Sequence, residues 1–131
     1  MATFTCFEEI KSWQKARVLS KKIGDRIDSG QFKHNYRLIG QIEGSAGSIM
    51  SNIAEGFERT GNKEFIHFLY IAKGSCGELR SQLYQALDRN YIAQDEFEEF
   101  KNDCIEISVL LSKLISYLEE SELKGAKYKN R

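Results

Sequence analysis

Residues 44–65 read GSAGSIMSNIAEGFERTGNKEF, a run that admits two incompatible structures. Glycines beside serine, with Lys63 near the end, suggest a phosphate-cradling loop, whereas Ala46, Ile49, Ile53 and Gly56 recur at helical spacing. A phosphate loop of the Walker type needs G-x-x-x-x-G-K-[ST] after a buried strand, so that backbone N–H groups wrap the phosphates. Here Gly56-Phe-Glu-Arg-Thr-Gly61 is followed by Asn62 before Lys63, no Ser or Thr comes next, and the preceding segment has the period of a helix. The helical reading is the one that the residues support.

If helices on either side of residue 59 or 60 fold back on each other, residue i lies near residue 119 − i. Gly44 then faces Ser75, Ser45 faces Gly74 and Ile42 faces Gly77. Each glycine costs a helix about 1 kcal/mol relative to alanine, so glycines gathered at one height call for a compensating contact. This geometry predicts that Gly40, Gly44, Gly47, Gly74, Ser75 and Gly77 let two helices approach closely, and the same smooth surface suits contact between subunits.

Outward from this segment, hydrophobic periodicity predicts four helices, over about 6–29, 35–57, 62–91 and 94–122, in one domain spanning 1–131, with a basic, flexible tail at 123–131. Thr5-Cys-Phe-Glu8 matches a capping box for the first. Its seam is Phe7, Ile10, Trp13, Ala16, Leu19, Ile23 and Ile27, and Ser29-Gly30 ends it. Asn35 is the expected cap of the second, and Thr60 or Asn62 of the third. The fourth alternates steps of three and four through Phe97, Phe100, Cys104, Ile107, Leu111, Leu114 and Leu118. Near-heptad seams mark shallow packing angles, and connections of about four to six residues force antiparallel neighbours. The expected fold is all-α, an antiparallel up-down-up-down, left-handed four-helix bundle. Apolar residues outside the seams (Ile105, Val109, Leu110, Ile115 and Tyr117 on the fourth helix, Ile66, Tyr70 and Tyr84 on the third) exceed what a lone bundle needs and predict self-association. The alternative is a thicker monomer core with scattered surface apolars.

Composition narrows the class. The 131 residues contain no proline, and 19 basic residues balance 19 acidic ones, so bulk attraction to nucleic acid is not built in. No apolar run is long enough to span a membrane. The N-terminus lacks the layout of a signal peptide, and three widely spaced cysteines, Cys6, Cys76 and Cys104, read as reduced thiols of a cytoplasmic chain. Charge is unevenly distributed: residues 7–29 carry six basic and four acidic side chains, while 94–122 carry nine acidic and two basic ones.

The stretch SIMSNIAEGFERTGNKEFIHFLYIAKGSCGELRSQL (48–83), above all Ser51-Asn-Ile-Ala-Glu-Gly56 and Gly74-Ser75 followed by Glu78, resembles the four-helix bundle family encoded in 23S rRNA intervening sequences. That family also looks related to the accessory variability proteins of diversity-generating retroelements. The resemblance covers nearly the whole chain and implies a small homo-oligomer, typically a five-fold ring, without enzymatic activity or cofactor. The accessory relatives bind nucleic acid and a reverse transcriptase through a strongly basic surface, so the resemblance also implies RNA or DNA and a reverse transcriptase as partners to test, against the neutral charge of this chain. Met50 stands where the family usually has proline, and Ala93 where a Ser or Thr cap is common.

Chemical alternatives fail on residue count. Glu64-Phe-Ile-His67 is half of a di-iron constellation, but His34, the other histidine, has Gln31 at the matching offset, so no metal site is expected. No Ser/His/Asp or Cys/His arrangement is apparent, and no catalytic residue is assigned. Asn52 and Glu55, like Ser75 and Glu78, lie one turn apart and read either as hydrogen bonding near the turn between helices two and three or as a polar patch at one end of an oligomer. Lys11, Lys15, Lys22 and Arg26 share a narrow arc of the first helix, and Arg59 and Lys63 add charge at the 2–3 turn. Repeated around a ring, these six cations are the candidate contacts for nucleic-acid phosphates. The resulting expectation is a non-enzymatic, oligomeric binding or scaffolding protein, its ligand either nucleic acid or, as a protein–protein adaptor, another protein.

Overall fold

Gly30 (φ 85°) and Gly61 (φ 90°) occupy the left-handed region that side chains disfavour, and each stands at a reversal of the chain. Asn90 (φ 63°) marks the third reversal. Between these points the computed structural model, which describes the backbone of residues 4–129 and side chains to residue 124, has helices α1 (Lys11–Asp28), α2 (Tyr36–Glu58), α3 (Asn62–Asp88) and α4 (Gln94–Lys129). No strand occurs among the described residues. Each helix packs on two neighbours in a closed cycle α1–α2–α3–α4, with the α2–α3 and α3–α4 contacts the most extensive. Ser48 on Ser75, Tyr84 on Phe97 and Lys22 on Glu99 show antiparallel neighbours on three of the four sides. The fold is a four-helix bundle.

The start of the chain departs from its predicted form. A short 3-10 turn, Phe7–Glu9, precedes α1, and Ile10 between them is extended. The expected capping box is displaced by one residue. Glu9, not Glu8, accepts from the Thr5 backbone N–H at 2.8 Å and the Thr5 hydroxyl at 3.1 Å. Asn35 caps α2 as expected, its Oδ1 accepting from the Leu38 N–H at 3.2 Å. At α3 neither Thr60 nor Asn62 is the cap; Gly61 is, without a side-chain bond. α4 lacks a hydroxyl cap at Ala93, and Glu96 accepts from the Ala93 N–H at 3.2 Å instead. α4 also continues through residues 123–129, assigned from sequence to a tail. Met50 leaves α2 uninterrupted.

The core follows the seams. Ala16, Leu19 and Ile23 on α1, Ile42, Ala46, Ile49 and Ile53 on α2, Leu69, Ala72, Leu79 and Leu83 on α3, and Phe97, Ile107 and Leu111 on α4 are buried. Ile115 belongs to this core, and Ile66 and Leu110 are half-buried. The remaining surplus residues, Ile105, Val109, Tyr117, Tyr70 and Tyr84, are exposed. Fully burying a side chain of this size contributes roughly 1.5–3 kcal/mol, so the seams alone outweigh the cost of the uncapped helix ends.

The close approach of α2 and α3 is real and Ser75 takes part in it, but the expected glycines do not. Ser75 meets Ser48 at 2.9 Å, one turn further along α2 than the Gly44 pairing expected. The cause is the turn, which pivots around Gly61 rather than residue 59 or 60. A Cβ added at Gly40, Gly44, Gly47, Gly74 or Gly77 would meet nothing within 4 Å, so these glycines do not pack between helices of the chain. Ser45, Ala46, Ala72 and Ser75 are the small residues buried with Gly56 on the two helices, and Gly56 makes the tightest approach. A Cβ on Gly56 would lie 2.6 Å from Phe68 Cβ and 3.2 Å from Phe65 Cδ1. Phe68 Cβ is fixed to the α3 backbone and cannot swing away. Gly56→Ala is therefore expected to lower the stability of the bundle by about 1–3 kcal/mol in urea unfolding. Gly74→Ala, with open space around it, is expected to raise helix stability by up to about 1 kcal/mol.

Candidate interaction surfaces

The predicted basic stripe of α1 lies against the acidic face of α4. Lys15 pairs with Glu106 at 3.3 Å, Lys22 with Glu99 at 2.8 Å and Asp103 at 3.0 Å, and Arg26 with Glu96. These pairs step down the antiparallel interface two turns and then one turn apart on α1, a ladder joining the two helices. The hydrogen bonds that Lys22 donates to Glu99 and Asp103 hold its ammonium above the usual lysine range despite some burial. Arg26 also donates to Gln31 Oε1 at 2.6 Å. At the other end of the bundle Arg59 pairs with Glu55 at 2.7 Å and lies over the Phe68 ring. Of the six candidate phosphate contacts, only Lys11 and Lys63 lack an ion pair among the described residues. A surface pair contributes about 0.2–1 kcal/mol to stability, yet each must be broken or shared before a phosphate is bound. The six cations do not form one free basic surface.

The signature residues divide between two places. Asn52 Nδ2 donates to Ser48 O at 2.8 Å and Ser48 Oγ at 2.9 Å, which makes Asn52, Ser48 and Ser75 one polar network within the α2–α3 contact. Glu55 belongs to the turn through Arg59. Glu78 is exposed and engages no hydrogen bond or ion pair among the described residues. Glu64 and His67 are exposed as well, His67 set edge-on to Phe68. The structure thus separates Asn52 and Ser75, which are structural, from Glu78, which faces outward.

The displaced glycines define a surface of their own. Gly40, Gly44, Gly47, Ser51 and Ala54 follow steps of four and three along the side of α2 opposite its buried residues, with Glu43 and Glu58 beside them. Elsewhere α3 and α4 expose Tyr70 (51%), Tyr84 (45%), Ile105 and Val109 (47%), and an open groove of about 640 Å³ is lined by Lys73, Lys113, Val109, Tyr117, Glu120 and the serines 108, 112 and 116. A notch of about 120 Å³ between the two helices adds Arg80 and Gly77. Lys73, Arg80 and Lys113 have no ion pair among the described residues, and sequence reading missed them. The signal was present: Lys73 and Arg80 are seven residues apart, two turns on one face.

Cys76 and Cys104 form the floor of that notch, and burial pushes both thiols up to about 12. In the folded chain they stay protonated; in the unfolded chain they ionise near pH 8.5. Their contribution to stability is therefore complete below about pH 8.5 and is lost as pH rises toward 12. Thiol titration with a chromogenic disulfide at pH 8 is expected to label Cys6, which is only half-buried, and to reach Cys76 and Cys104 on unfolding. The urea midpoint is expected to fall between pH 8.5 and 11.

No helix among the described residues is long and apolar enough to cross a membrane. No group of three or more His, Cys, Asp or Glu side chains converges among them.

The family model for the 23S rRNA-intervening sequence protein matches residues 8–113. A crystal structure from Bacteroides thetaiotaomicron, of a protein of unknown function from the S23 ribosomal protein family, is similar at 26% identity and a TM-score of 0.72. The match covers 79% of this chain and 97% of that one. No curated protein matches. The matched span runs from the turn before α1 into the middle of α4 and includes the Asn52–Ser48–Ser75 network, Gly56 and the α1–α4 ladder. The chain belongs to the 23S rRNA-intervening sequence protein family.

Proposed function

We propose that this chain is a non-catalytic scaffold that assembles with copies of itself and presents the outer surface of the assembly to a protein partner. The observation that carries the reading is the row Gly40, Gly44, Gly47, Ser51 and Ala54 on the outside of α2. Three helix-interior glycines cost about 1 kcal/mol each, and nothing within the chain lies within 4 Å of where their side chains would be. A second molecule lying along the row would offset that cost.

The α3–α4 groove of another copy fits the row in shape and charge. Its bulky Val109 and Tyr117 complement a surface without side chains, and its Lys73 and Lys113, with Arg80 in the adjoining notch, outnumber Glu120 and complement Glu43 and Glu58. Contact between two different patches is head-to-tail, and such contacts close into rings when the rotation permits. Five subunits is the number that the family resemblance implies. Nucleic acid is the weaker candidate ligand, because the α1 cations that would meet phosphates are held by Glu96, Glu99, Asp103 and Glu106.

Light scattering is expected to give a multiple of the 15.1 kDa chain mass, and Gly44→Glu with Gly47→Glu to return it to one chain with helical content unchanged. A wild-type monomer at tens of micromolar would contradict the reading. RNA retention at low salt, abolished by Lys11→Glu with Lys15→Glu, would restore nucleic acid as the ligand.

A further inference from the structure

The helix register brings two soft ligands together inside the bundle. The ring contact of Tyr84 with Phe97 sets α3 against α4. Eight residues back along α3 and seven onward along α4 stand Cys76 and Cys104, level with each other on antiparallel neighbours. Both are buried, and neither is in a disulfide. They line one notch of about 120 Å³. Burial, and after it Cys76, opposes ionisation of the Cys104 thiol, as expected of close neighbours.

A buried cysteine ordinarily serves as a small apolar filler. Here the packing stops short of the thiols. Gly77 leaves one wall of the notch bare, and the space opens outward between Lys73, Arg80 and Ser108.

The donor set selects the metal. No group of three His, Cys, Asp or Glu side chains converges among the described residues, whereas protein Zn(II) sites are almost always four-coordinate and iron–sulfur clusters take four ligands. Soft thiolates favour Cu(I), an ion that two of them satisfy. The resulting complex carries one negative charge, and Lys73 and Arg80 on the lining have the sign that offsets it.

We infer that Cys76 and Cys104 bind one Cu(I) ion as a two-coordinate bis-thiolate at the floor of the α3–α4 notch. Binding breaks two S–H bonds, forms two Cu–S bonds and releases two protons. Copper stays monovalent throughout, so no oxidant or reductant takes part. Both ligands belong to one chain, and the site stands whether or not chains assemble. Lys73 and Arg80 do not ligate the ion and stay available to Glu43 and Glu58 of another copy.

Anaerobic titration of the Cys6→Ser chain with Cu(I), in competition with a chromogenic Cu(I) chelator, tests this. The expected result is one ion per chain, with a thiolate-to-copper charge-transfer band in the ultraviolet. Burial pushes both thiols up to about 12, so each enters the reaction protonated at neutral pH. Affinity is therefore expected to rise about a hundred-fold per pH unit between about pH 6 and 8, a two-proton slope. Cys76→Ala and Cys104→Ala are each expected to weaken binding at least about a hundred-fold and to reduce the slope to one proton, with helical content by circular dichroism unchanged. The slope is read on the chain with both thiols in place, so it holds as a test even where a variant fails to fold. Less than one ion per chain, a one-proton slope with both thiols present, or unchanged affinity in either folded single variant would each overturn the inference.

Discussion

Gly56 seated against Phe65 and Phe68 is the contact on which the rest of the arrangement depends. With 2.6 Å between a hypothetical Cβ and Phe68 Cβ, no other residue lets the ends of α2 and α3 come this close. The contact, with the turn at Gly61, fixes the register in which Ser48 meets Ser75. That register puts Ser45, Ala46, Ile49 and Ile53 inside and turns Gly40, Gly44 and Gly47 to the outside. A local steric fact at one end of the hairpin thereby decides which face of α2 is available to another molecule.

Charge is organised by the same antiparallel logic on the opposite side. The basic stripe of α1 and the acid of α4 look like two separate signals in sequence, but they are two halves of one ladder. A net charge of zero here conceals internal pairing on one face and, on another, three cations, Lys73, Arg80 and Lys113, that have no ion pair among the described residues. Surface chemistry follows from which helices are neighbours more than from composition.

Much of the bundle was legible because a long heptad seam leaves one way to bury itself. The seams, the Asn35 cap, the Gly30 stop and the packing of Cys104 all rest on periodicity and local hydrogen bonding. The glycines were misplaced because a glycine carries no side chain to report its face. A fold-back centre misjudged near the turn then moved the pairing by a full turn of helix. The free cations escaped notice because a stripe of four on α1 outweighed a pair on α3, and pairing across helices is invisible until the neighbours are known.

The central claim is that the outward glycine row of α2 is kept bare for contact between chains. Sedimentation equilibrium of the triple variant Gly40→Ala, Gly44→Ala, Gly47→Ala separates this from a merely permissive surface. Three methyl groups raise the helix propensity of an isolated chain, so the account predicts a more stable monomer whose self-association is at least ten-fold weaker than that of the wild type. A triple variant that is more stable and assembles as tightly as the wild type would contradict it.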